Sequence, residues 1–213
     1  MSGFANSYAP KVWRGDATLL PIVHLHAALF TMWLVVFVLQ NMLVLAGRTD
    51  VHRRLGPWAV GLAGPMLIVG TLTAAAVTRR GDRGIPGVEF ADPGGFLLLN
   101  VAAVTIFFVL AIAGWYWRRN SQVHKRLMLM AVTGALVGPG ASRLPFASGR
   151  PGVIAPIVIG FMLAGPAYDL VTRRRVHPVY LWSLALAVLG LPPVVALFAA
   201  TPAWHAIADR MLR

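Results

Sequence analysis

The chain has 213 residues, is 58% hydrophobic and only 12% charged, and carries a formal charge of +12 from 19 basic and 7 acidic side chains. Its mean hydropathy of +0.70 is too high for a soluble domain of this size. The cations stand in short clusters between apolar runs, which excludes a nucleic-acid groove or tail, and the lack of cysteine excludes disulfides, thiolate metal sites and c-type haem attachment.

Residues 1–17 read as an outer N-terminal segment; no basic stretch runs directly into an apolar core there, so no cleavable signal is expected. Six apolar segments follow, at about 18–46, 55–77, 95–117, 127–146, 152–172 and 178–200, each near the roughly 20 residues that cross a bilayer. The expected fold is all-α: a polytopic transmembrane bundle of about six helices arranged as three helical hairpins over 18–200. The connections at 47–54, 118–126 and 173–177 are short. The 78–94 connection, rich in Gly and Pro, reads as an irregular cap over one end. Residues 201–213 place Trp204, Ile207, Ala208 and Met211 at helical spacing and read as an interfacial tail.

The three short connections hold ten of the nineteen basic residues and one acid, Asp50. That bias puts them on the inner side of a bacterial cytoplasmic membrane and both termini outside. Trp58, Trp115, Trp117 and Trp182 then form an inner aromatic belt, with Trp13 and Trp204 at the outer interface.

Three Val-His pairs mark these connections: Val51-His52, Val123-His124 and Val176-His177. Each histidine opens a helix that meets a Gly/Pro break about 12–15 residues later, at Gly64-Pro65, Gly138-Pro139 and Gly190-Leu191-Pro192-Pro193. Thr49 or Asp50, and Ser121, are the N-caps expected before the first two. Three imidazoles at one depth suit a metal, or two suit the axial positions of a haem iron with the third nearby. Arg53, Arg54, Lys125 and Arg126 are cations for its propionates, as is Arg143 beyond the Gly-Pro-Gly break. A helix start at a membrane interface also needs polar residues, and that plain role accounts for any one of these histidines alone.

His24 and His26 are two residues apart, about 200° around a helix, so they face opposite ways and His26 is the one expected inside the bundle. Gln40, Asn41 and Asn100 are expected to make interhelical hydrogen bonds. Asp169 and Arg173 have the spacing of an ordinary i,i+4 pair. No triad, paired-carboxylate or phosphate-loop pattern is present, so no catalytic residue is assigned.

The motifs His24-Leu-His26-Ala-Ala-Leu-Phe-Thr-Met-Trp33, His52-Arg-Arg-Leu-Gly56 and His124-Lys-Arg-Leu-Met128 resemble those of a broad group of bacterial six-helix membrane proteins carrying a domain of unknown function. More distantly, the pattern is similar to diheme b-type transmembrane cytochromes of the ascorbate-reducible and ferric-reductase-like families. That resemblance implies a six-helix bundle, histidine ligands on facing inner helices, haem b and electron transport. The chain departs from it in two ways. An outer ligand pair would have to join His24 or His26 to His205 in the tail, so a single haem is implied; and the inner histidines sit closer to the helix ends. The leading expectation is a b-type haem-binding or quinone-linked electron-transfer protein using His52 and His124. The alternatives are a non-catalytic accessory subunit of a larger respiratory or photosynthetic complex, and a small transporter, suggested by the broken helices.

Overall fold

The computed structural model describes residues 9–15, 20–82, 84–85, 88–90, 92–141, 144, 146–147 and 150–213. Arg143 lies outside them. Helices α1 (Ala9–Trp13), α2 (Pro21–Leu45), α3 (Thr49–Gly61) and α4 (Ala63–Arg79) come first. The 78–94 connection then holds a short antiparallel pair, β1 (Gly84–Ile85) and β2 (Val88–Glu89). Helices α5 (Pro93–Tyr116), α6 (Ser121–Ala135), α7 (Val137–Ala141), α8 (Pro151–Arg173), α9 (Pro178–Leu189), α10 (Pro192–Ala199) and α11 (Pro202–Leu212) complete the chain.

Four helical stretches among the described residues are long and apolar enough to cross a membrane: Pro21–Leu45, Thr49–Arg79, Pro93–Tyr116 and Gly152–Arg173. The bent pair α9–α10 makes a fifth if counted as one span. The expected fourth segment, 127–146, is not a regular span. Helix α6 starts earlier, at Ser121, and stops at Ala135. Its 15 residues reach only about 22 Å, short of a hydrocarbon core of about 30 Å.

All three Gly/Pro breaks have one physical cause. The helices end at Gly61, Ala135 and Leu189, each four residues before a proline: Pro65, Pro139 and Pro193. Proline brings no N–H for the carbonyl four residues back, and the ladder is interrupted there. Across Leu62 the two helices still form one stretch, Thr49–Arg79, whereas α9 and α10 meet at 54°. Pro57, Pro156 and Pro166 sit within helices that continue through them.

The centre of the bundle is α5, packed between α4 and α6. Phe107 and Ala111 of α5 are fully buried, and Phe107 meets the ring of Trp33 edge to face at 4.8 Å. Met66, Leu110, Met130 and Tyr180 close the same core. By contrast α2 buries only Ala27, Trp33 and Gln40, the last two seven residues apart on one stripe. Its other faces leave Leu25, Val35, Val38 and Met42 exposed, as a peripheral helix in lipid would. Trp58 and Trp182 are 80% and 78% exposed, whereas Trp115 turns inward.

The tail does more than lie on a surface. Thr201 caps α11, Ala208 is buried against Ala74, Ala75 and Leu97, and Trp204 Nε1–H donates to the Gly94 carbonyl at 2.9 Å. It packs on the end of α4 and the start of α5, where His205 and Asp92 lie 3.9 Å apart.

At Gly165 in α8 the ring of Tyr180 lies where a side chain would go: a Cβ there would stand 2.7 Å from Tyr180 Cζ and 2.8 Å from Cε1. Tyr180 is itself buried, so it has little room to yield. Gly165→Ala is expected to cost about 1–3 kcal/mol by overpacking, read as a lowered unfolding midpoint in detergent. An unchanged midpoint would mean α8 and α9 separate freely.

A candidate two-histidine cofactor site

The turn at 46–48, with Gly47 at φ 73° in the left-handed region, reverses the chain from α2 into α3 and places His52 in the second turn. At the next connection Asn120, not Ser121, is the cap: its side chain accepts from the N–H groups of Gln122 and Val123. His124 follows at once. The two imidazoles, 72 positions apart in the chain, come together with ring centroids 6.1 Å apart and planes at 75°.

Each ring is held from behind. Helix α5 ends at Tyr116, so the Gly114 carbonyl belongs to the last turn, where carbonyls lack the usual helical partner. His124 Nδ1 lies 2.8 Å from that oxygen. A neutral imidazole so placed carries its proton on Nδ1 and presents a bare Nε2. The close approach depends on Gly114, over which Met128 packs.

His52 leans on Gln40, which is buried at the inner-facing stripe of α2. With the amide turned to satisfy both of its ends, its nitrogen donates to His52 Nδ1 at 2.6 Å and to the His52 carbonyl at 3.3 Å, while its oxygen accepts from Gly56 N–H at 3.3 Å. This orientation pairs with the His52 tautomer that carries its proton on Nε2. The half-turned amide would set its oxygen against the His52 carbonyl and its nitrogen against Gly56 N–H, so a metal at His52 Nε2 would require Gln40 to turn and give up those two contacts.

Both histidines line a cavity of about 830 Å³ between α2, α3 and the α5–α6 connection. This lies within the range of sites that hold organic ligands. Its inner wall includes Trp33, Phe37 and Met128, while Arg53, Arg119 and Lys125 stand at the basic connections, and no acid lines it among the described residues. Arg118 covers the Trp115 ring at 4.2 Å.

Of the expected cations, Arg53 and Lys125 reach this cavity; Arg54 is exposed and points elsewhere. Arg126 is taken up by another partner. It is 1% exposed and forks onto the equally buried Asp169, with Nε donating to Oδ2 at 2.8 Å and Nη2 to Oδ1 at 2.6 Å. Its Nη1 donates to the Gln122 carbonyl and side-chain oxygen. Asp169 is thus not simply the i,i+4 partner of Arg173, which lies farther off at 3.6 Å.

His177 belongs to that second cluster and does not join the pair. It caps α9, its Nδ1 accepting from Val179 N–H at 3.2 Å. Burial, and then the charge of Arg126, hold its imidazole below the ordinary 6.5. The folded state thus favours neutral His177, so its stabilising effect is full above that value and is lost as pH falls through it. Cooling the comparison to one residue, His177→Asn keeps a capping side chain without the titration. Its unfolding midpoint is expected to fall less than wild type between about pH 7.5 and about pH 5.5; equal slopes would remove this role.

His26 stacks on Phe30 at 4.0 Å and is half-buried, whereas His24 is exposed. Fourteen residues of α2, about 21 Å of helix, separate His26 from Gln40, so it is remote from the pair. Gln40 bridges helices as expected, but Asn41 and Asn100 instead donate to carbonyls of their own helices, Phe37 and Phe96. No family model, curated protein or solved structure matches this chain.

Proposed function

We propose that this protein is a membrane-embedded b-type haem protein of electron transfer, in which His52 and His124 would hold one haem. The observation that carries the reading is the approach of two imidazoles from different helices, each backed at Nδ1, to a centroid separation of 6.1 Å. Two imidazoles brought this close from two different helices would be able to share one metal ion.

The donor set also suits a tetrapyrrole better than a bare ion. No group of three or more His, Cys, Asp or Glu among the described residues has the arrangement to hold a metal. Two histidines need four further donors, which a porphyrin brings with it. When bound, haem would supply one-electron transfer. The chain's part is to orient both imidazoles, to enclose the apolar face with Trp33, Phe37 and Met128, and to offer Arg53, Arg119 and Lys125 to carboxylates. A quinone is the partner class in keeping with a cleft of this size lined by aromatic and apolar side chains beside basic connections. In this reading α6–α7 is the sixth, interrupted crossing, and the basic connections face inward.

Purification from a haem-replete host, followed by a pyridine haemochrome assay, tests it. About one haem b per chain is expected; none, or two, would contradict the single-site assignment.

A further inference from the structure

We propose that the buried Arg126–Asp169 fork is a positioning device: it sets the roll of α6 and hence the plane of His124 toward His52. Its purpose rests on the haem reading above, but its test does not need haem. His124 and Arg126 are two residues apart, about 200° around the helix, so they grip opposite sides of α6. On one side His124 Nδ1 is tied to Gly114 of α5. On the other, Arg126 is tied to Asp169 of α8 through two hydrogen bonds in fork geometry, with Gln122 fixing a third nitrogen.

A helix held at opposite points of one turn cannot roll without breaking one of them. This matters for α6 because it is short, running from its cap at Asn120 to its end at Ala135 before Pro139. Apolar packing alone permits small rolls, since apolar contacts are non-directional. A planar guanidinium on a carboxylate is directional. Burying both charges carries a desolvation cost that well-packed apolar residues would avoid, so the fork is poorly explained as a stability device alone.

Arg126→Met/Asp169→Leu removes the direction while keeping the volume buried. The full-length protein is prepared without haem in lipid nanodiscs with ¹⁵N-labelled histidine. Wild type is expected to show His124 wholly in its Nδ1–H tautomer, and Asp169→Glu to retain most of that signal. The double variant is expected to stay helical with a cooperative unfolding transition, yet to show His124 as a mixture of tautomers. In haem-loaded protein it is expected to shift the largest ferric EPR g-value, which follows the relative imidazole planes. An unshifted tautomer in a folded double variant would overturn the proposal. Wild type without haem would instead defeat the haem reading, and the tautomer result would still decide this one.

Discussion

If the protein holds haem b as proposed, replacing either His52 or His124 by alanine is expected to remove the haem b bands from the purified protein, while His26→Ala and His177→Ala are expected to leave them in place. The asymmetry follows from position. The rings of His52 and His124 meet edge to face with centroids 6.1 Å apart, whereas His177 caps α9 beside Arg126 and His26 stacks on Phe30 near the other end of α2. On the proposed reading, losing one of the two imidazoles would leave the group a single holding residue, too little to retain it through detergent purification. Loss in only one of the two variants would assign a single ligand and leave the other histidine a neighbour. The variants should remain folded, because both rings are only part-buried and stand outside the Phe107 core. Far-ultraviolet circular dichroism checks that point.

Asp169→Leu is expected to lower stability by about 3–5 kcal/mol, the usual cost of leaving a buried charge unpaired. Arg126→Met is expected to do the same, with Asp169 then left to Arg173 at 3.6 Å and the backbone N–H of His177. The double variant Arg126→Met/Asp169→Leu is expected to recover most of the loss or all of it, since neither charge remains to be desolvated. Unfolding midpoints of the four proteins form a double-mutant cycle. Additive losses would mean that the two side chains act independently, against the fork geometry at 2.8 and 2.6 Å.

These two sites differ in how far the residues alone disclosed them. The recurrent Val-His pairs singled out His52 and His124, but equally His177, because a dipeptide context says where a helix begins and not which way its first turn faces. The argument that set His24 and His26 on opposite faces also applies at the other histidines. Arg54 and Arg126 stand two residues from His52 and His124, so they face away from them, while Arg53 and Lys125 remain within reach. That separation was legible in the spacing.

The Arg126–Asp169 pairing was less so. Asp169 has Arg173 at i+4, and local spacing favours that partner. The counter-signal was an acid on an apolar span, where an unpaired charge is costly and a strong partner is to be expected. Which of many basic residues supplied it depends on how α6 and α8 pack. The bounds of the fourth segment differ for a related reason. Hydropathy carried the fourth segment past Gly138-Pro139, but proline ends the α6 ladder at Ala135. Counting back four residues from each such proline predicts the actual ends at Gly61, Ala135 and Leu189.

The most direct test of the two-histidine site is near-infrared magnetic circular dichroism of the ferric protein, purified from a haem-replete host. That spectrum identifies the axial pair rather than the mere presence of haem, and Met128, which also lines the cavity, is a competing ligand within the same cleft. Low-spin bis-histidine haem is the result expected from the facing rings of His52 and His124. A histidine–methionine spectrum, high-spin haem, or protein with no haem at all would contradict it.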